Sequence, residues 1–257
     1  MQRARDILTK GSRGLTTSGR VGGQWIRDSI AAAPAPPLPS TGPWKCTLAG
    51  ILAHRPNSPL LKLRPLTLLD RFGAVHLDTV QVGFDGEQHD WTRVTAVRMR
   101  NAFELLTTDA LEQEVDRIRS LFPPLPGRKK TLTFVAENLA TVLLAALDQG
   151  DDALDRAIVG EVRYRGRLPG TRTVRPGLFA SALLSLRPDI GEALLAEAAQ
   201  RGIPITAAED STRRRADAAA EREERINALR QRTDAIITRL HAEEPEPEDA
   251  VQDESPA

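Results

Sequence analysis

The chain is poor in aromatics, cysteine and lysine, and each shortage removes a class of explanation. Phe, Trp and Tyr make up 4% of the 257 residues, so the core must be built mainly from Leu, Val, Ile and Ala. The single Cys46 excludes an intrachain disulfide and a cysteine-based zinc site. Lying between Trp44 and Leu48, it reads as a small apolar core residue. Lysine occurs only at positions 10, 45, 62, 129 and 130, so the basic charge is almost all arginine, as a GC-rich coding sequence would favour. Net charge is missing too: 35 basic and 35 acidic residues cancel. The chain as a whole therefore exerts no general pull on nucleic acid or anionic membrane. The longest apolar stretch, Leu139 to Leu147, is too short to cross a bilayer. The basic N-terminal stretch lacks the apolar centre of a secretory signal. Together these predict a cytoplasmic location.

Catalytic signatures are also lacking. There is no P-loop, no G-x-G-x-x-G, no H-E-x-x-H and no G-x-S-x-G. His54, His76, His89 and His241 are scattered. His89 and Asp90 are adjacent, so in a strand they point to opposite faces and are expected to be solvated. Asp148, Asp151, Asp152 and Asp155 surround Gly150 without the alternate spacing of a calcium loop. A helix stop at Gly150 and a new helix start at Asp151 account for them better. No cofactor or metal is predicted, and the chain reads as non-enzymatic.

What is present is a hairpin pattern from Val75 to Met99, VHLDTVQVGFDGEQHDWTRVTAVRM. Val75 and Leu77 share one strand face. After Asp78-Thr79 the alternation resumes on shifted parity at Val80, Val82 and Phe84, which marks a tight turn. Asp85-Gly86 gives a second turn. Trp91 then opens a third strand with Val94, Val97 and Met99. The three-residue spacing of Trp91, Val94 and Val97 fits a bulge or one turn of helix.

The pattern F-D-G-x-x-x-x-W-x-x-V-x-x-V resembles the central hairpin of bacterial pleckstrin-homology-like and GRAM-like domains, over about 25 residues. That resemblance implies a small bent antiparallel sheet capped by one helix. Asp109 to Phe122 supplies a suitable helix, with Asp109 and Glu112 at capping-box spacing and Leu111, Val115 and Ile118 on one stripe. The fold class expected is therefore α+β: a PH-like β-domain, then a mainly helical unit, then a long C-terminal helix.

The domain reading divides the chain five ways. Residues 1–43 are a basic tail and Pro/Ala linker. Residues 44–122 are the β-domain, with earlier strands at Leu61/Leu63 and Leu66/Leu68. Residues 123–208 form the helical unit, residues 209–242 a charged helix, and residues 243–257 a disordered acidic tail. Within the helical unit, Thr131–Val135 reads as a short strand, Ala136–Leu147 as a buried helix and Ile158–Tyr164 as a strand. Pro176 would begin a helix through Leu186, and Asp189 with Glu192 would cap another that Gly202 ends.

Three surfaces are candidates for contact. Arg163, Arg165, Arg167, Arg172 and Arg175 form the densest basic patch, opposed only by Glu161, and suit an anion or nucleic acid. Tyr164 is one aromatic, too few for a stacking platform. Arg3, Arg5, Lys10, Arg13, Trp25 and Ile26 suit a basic segment lying on a membrane surface. Ile226, Leu229, Ile236 and Leu240, with Thr233, fall at heptad spacing and suit self-association, or packing of that face on the helix's own domain. The function expected is a non-enzymatic binding or scaffold protein working through protein contacts, with nucleic-acid binding through Arg163–Arg175 as the alternative.

Overall fold

Apolar residues at two-residue spacing between Ala74 and Phe84 give strands whose buried sides meet one core. The computed structural model describes residues 25–53, 73–107, 128–166, 169–207 and 218–242. Strands β1 (Trp44–Thr47), β2 (Ala74–Leu77), β3 (Gln81–Phe84) and β4 (Glu87–Asp90) form an antiparallel meander in that order. The turns follow from local chemistry. Asp78 Oδ1 accepts from the amides of Val80 and Gln81 at 2.6 and 2.5 Å. Asp85 and Gly86 both take positive φ, 53° and 80°, the geometry of a two-residue I′ hairpin turn. Gly83 is required by close approach, since a Cβ there would sit 1.9 Å from the Glu87 carbonyl oxygen.

Trp91 does not open a strand. The polar run Glu87–Asp90 forms an additional edge strand that its composition hid, because an edge with one solvated face needs no apolar alternation. Trp91–Arg93 is a 3₁₀ turn carrying the chain into the second sheet. There β5 (Val94–Asn101) runs with register shifts between Val94/Ala96 and Arg98/Met99, so the helical turn and the bulge are both present. The second sheet has the order β7-β6-β5-β8, with β6 (Ala157–Arg165), β7 (Thr171–Val174) and β8 (Ile205–Thr206). Only the β5–β8 pairing in it is parallel. The stretches read as 44–122 and 123–208 thus share this sheet, and one hydrophobic cluster spans both.

Residues 25–32 are helical (α1), and α2 (Leu48–Ala53), α3 (Ala102–Thr107), α4 (Arg128–Leu147) and α5 (Asp151–Leu154) follow. Then come α6 (Leu178–Leu186), α7 (Pro188–Gln200) and α8 (Ala218–Ala242). Helix α6 is apolar all round and is the hub: it touches β2, β6, α3, α4 and α7. Helix α4 packs on α6, and α8 packs on α4 and α3. The result is an α+β fold.

Several expectations are corrected. Thr131–Val135 belongs to α4, where tertiary packing overrides β-branched propensity. Helix α6 starts at Leu178 behind Gly177, not at Pro176. Asp189 does not cap α7. Its carboxylate takes a bidentate pair from Arg187 at 2.8 and 2.6 Å, a stronger partner than a backbone amide. Residues 25–43 are neither tail nor linker: Ile26 and Ile30, one helical turn apart, are 1% and 2% exposed in the core. Arg187 Nη1 donates to the carbonyls of Ile30 and Ala33, a cation at the C-terminus of α1. Ser40 N donates to the buried Glu197 at 2.8 Å. Ile26 is therefore not a membrane contact. The readings at Leu61–Leu68 and Asp109–Phe122 lie outside the described residues.

Candidate functional site

Strands β5, β6 and β7 separate apolar and charged residues by parity. Val97, Val162 and Val174 face the core. On the other parity, Arg98 lies opposite Glu161, and Arg163 lies opposite Ala96 on one side and Thr173 on the other. Glu161 is the centre of this outward face. Its Oε1 is 3.0 Å from Arg175 Nη2 and 3.9 Å from Arg100 Nη1. Its Oε2 is 4.0 Å from both Arg98 Nη1 and Arg163 Nε. The stem of Arg100 crosses Gly160, where a Cβ would meet it at 2.6 Å. The Glu161 side chain is 5% exposed, whereas the four arginines are 37–64% exposed.

A second carboxylate joins from the edge, Glu104 Oε2 at 3.7 Å from Arg100 Nη2, while Glu161 is shared by all four guanidinium groups. Only Arg175 is at contact distance. At 4 Å an ion pair near a protein surface is worth roughly 4 kcal/mol before desolvation and screening, and the arginines repel each other on the same scale. The face is held together at its centre and positive at its rim.

Of the arginines singled out in the sequence, Arg163 and Arg175 enter this cluster. Arg165 stands two residues on from Arg163 and is exposed; its carbonyl accepts from Arg93 Nε and Nη2 at 3.0 and 2.6 Å. Arg172 is exposed on β7 opposite Tyr164. Arg167 is outside the described residues. Sequence reasoning missed Arg98 and Arg100. Their two-residue spacing within the Val94–Asn101 strand was the available signal.

A second cluster lies beside the first. His89 is not solvated: its side chain is 11% exposed and its ring stacks on Tyr164 at 3.5 Å and 19°. His89 Nε2 and Tyr164 Oη both bond Glu87 Oε1, at 3.0 and 2.9 Å. Burial, reinforced by the Glu87 hydrogen bond, pushes the Tyr164 phenol up. These contacts join β4 of the first sheet to β6 of the second. A cleft of about 300 Å³ opens next to them, lined by Phe84, Asp85, Glu87, Thr173, Val174 and Arg175.

The remaining candidates are placed as follows. Trp25 is half-buried, and Arg3, Arg5, Lys10 and Arg13 lie outside the described residues. Leu229 is buried, and Ile226 and Ile236 pack against the core, so this face of α8 meets its own chain. The Leu240 side chain is outside the description. The acids around Gly150 have a role the sequence did not reveal: Asp151 and Asp155 receive Arg222, and Asp148 receives Arg230, all from α8. Burial pushes the Cys46 thiol up to about 11, which leaves it a poor nucleophile. Among the described residues no group of three or more His, Cys, Asp or Glu could hold a metal, and no helix is long and apolar enough to cross a membrane. No protein-family model, curated protein or solved structure matches the chain.

Proposed function

We propose that the chain is a cytoplasmic binding protein that works by contact and not by catalysis, and that the arginine face of the second sheet receives an acidic segment of a protein partner. The observation that carries this reading is the placement of Arg98, Arg100, Arg163 and Arg175 around one buried Glu161. Such a face offers several guanidinium forks at fixed spacing to carboxylates. The likeness of the hairpin segment to pleckstrin-homology-like domains points the same way, toward a β-scaffold that presents surfaces. Nucleic acid is the less favoured partner: single strands bind by stacking on open aromatics, and the Tyr164 ring is 6% exposed beneath His89.

Fluorescence anisotropy with a labelled polyglutamate peptide tests the reading. Binding is expected at about 50 mM salt and should weaken roughly tenfold in an Arg98→Gln/Arg163→Gln variant, with a shallower salt dependence. No binding at low salt, or binding indifferent to those substitutions, removes the proposal. A single-stranded oligonucleotide bound more tightly than polyglutamate would replace the acidic partner with nucleic acid.

A further inference from the structure

We propose that the cleft between the two sheets is a site for a small amino-acid-like zwitterion, its ammonium on Glu87 and its carboxylate on Arg175. The proposal goes beyond the arginine face and shares only Arg175 with it. The cleft, about 300 Å³, takes one wall from the β3–β4 hairpin (Phe84, Asp85, Glu87) and the other from β7 and the residue after it (Thr173, Val174, Arg175). Asp85 Oδ2 accepts from Gly177 N at 2.5 Å, which pins the turn to the chain two residues past Arg175. The spacing of the walls is thus set before any ligand arrives. Glu87 is held in place as well. His89 Nε2 and Tyr164 Oη both bond its Oε1, at 3.0 and 2.9 Å, and Oε2 takes no hydrogen bond from a described residue. Arg175 meets Glu161 through Nη2, at 3.0 Å, and its side chain is 64% exposed. A guanidinium has more N–H groups than one carboxylate can occupy, so donors remain for a second carboxylate and the site needs no excess positive charge.

The lining selects the ligand by charge. Asp85 and Glu87 put two acids beside one arginine. A simple anion meets both carboxylates, and a simple cation meets the guanidinium. A ligand with an ammonium and a carboxylate a few bonds apart pairs with both sides at once. Its carboxylate matches the guanidinium fork, and its ammonium donates to Glu87 Oε2. Phe84 and Val174 are buried and give the cleft an apolar floor, with Thr173 adding a hydroxyl. An aliphatic side chain is therefore accommodated better than a charged one. At ~30 Å³ per water the cleft holds about ten waters, room for a ligand on the order of ten non-hydrogen atoms, which is the size of leucine. Two ion pairs in an open cleft give a dissociation constant on the order of 0.1–1 mM.

Titration of the full chain with L-leucine, followed by NMR shifts of the backbone amides, tests the site. Saturable shifts are expected at Gly86, Glu87, Val174 and Gly177, with a dissociation constant on the order of 0.1–1 mM. Leucinamide, which lacks the carboxylate, and isocaproate, which lacks the ammonium, should each bind at least about fivefold more weakly. Glu87→Gln should weaken leucine binding about tenfold, and about 0.5 M salt should weaken it severalfold. The analogues probe the unaltered chain, so the test stands even where that variant is unstable. Arg98→Gln/Arg163→Gln, the variant expected to weaken polyglutamate, should leave leucine binding unchanged. No shifts at up to about 10 mM leucine overturn the proposal. Either one-headed analogue binding as tightly as leucine overturns it as well. So do shifts that are lost in the arginine-face variant and kept in Glu87→Gln, since the ligand would then sit on the outer face.

Discussion

Asp85 ties the two halves of the molecule together, and its loss has a cost that can be worked out part by part. It sits at φ +53° in the β3–β4 turn, buried. Its Oδ2 accepts from Gly177 N at 2.5 Å, at the start of α6, and its Oδ1 accepts from Ala74 N at 3.3 Å, at the start of β2. The short charge-assisted bond is worth about 1.5–3 kcal/mol and the long one about 0.5–1. Asp85→Gly removes both but keeps the turn conformation accessible, so a loss of about 2–4 kcal/mol is expected. Asp85→Ala adds about 1 kcal/mol for a left-handed residue that lacks aspartate's local hydrogen bonding. Asp85→Asn keeps one acceptor and tolerates positive φ, so it should lose only about 1–3 kcal/mol. Urea unfolding with an unchanged m-value should return the order Asp, Asn, Gly, Ala from most to least stable. Equal stability of the Asn and Ala variants, or a loss under about 1 kcal/mol for Ala, would refute the assignment of these bonds.

Other consequences can be checked separately. Gly83→Ala forces a Cβ against the Glu87 carbonyl and should cost about 3 kcal/mol or more by urea unfolding; a near-neutral result would mean the β3–β4 ladder is not packed as described. The raised Cys46 thiol stabilises the fold fully below its ordinary value of 9.0 and loses that contribution as pH climbs toward about 11, by at most ~2.7 kcal/mol. The wild type should therefore lose stability faster than Cys46→Ala across pH 9–11, and parallel curves would contradict the burial argument. Arg222→Ala removes the ties to Asp151 and Asp155 and one cation–π contact on Phe103. Hydrogen exchange should speed up in α8 while α6 stays protected, and unchanged α8 protection would count against that anchor. Glu161→Gln raises the excess charge of the arginine face by one while keeping an acceptor for Arg175. Polyglutamate should bind severalfold tighter with a steeper salt dependence, at a stability cost of about 1–3 kcal/mol; weaker binding would show that the carboxylate is needed to position the arginines.

Legibility in the sequence tracked local physics. The Asp78-Thr79 and Asp85-Gly86 turns, the Ile158–Tyr164 strand, the Gly150 helix stop and the buried face of α4 all rest on short-range pattern, and all appear. Strand β4 was illegible because Glu87–Asp90 lies at an edge and carries no apolar alternation. Residues 25–43 misled for the opposite reason. Their glycine- and proline-rich neighbourhood suggested a tail, while Ile26 and Ile30 needed only one helical turn to reach the core. The candidate site was half visible. The parity of Arg163 and Arg165 could be read from the strand, but the approach of Arg98 and Arg100 depends on β5 pairing with β6 across some sixty intervening residues. His89 was misjudged on the same ground, since its partner Tyr164 comes from a distant strand.

Net charge of zero was the least informative number in the sequence, because it averages over surfaces that are strongly polarised. The acids flanking Gly150 are matched by arginines of α8, whereas the outward face of the second sheet gathers four arginines around Glu161, with Glu104 beside Arg100. Such segregation has a physical cost: like charges about 4 Å from a common partner repel, and a fold selected only for stability would disperse them. Burying Glu161 among the arginines lowers that cost, since the arginine side chains keep 37–64% exposure while the 5%-exposed carboxylate lies within 4.0 Å of each. A lone surface glutamate would be screened by solvent and could not do this. The burial of Glu161, more than the number of arginines around it, is therefore the feature that supports the proposed binding role of this face over an incidental basic patch of an arginine-rich chain.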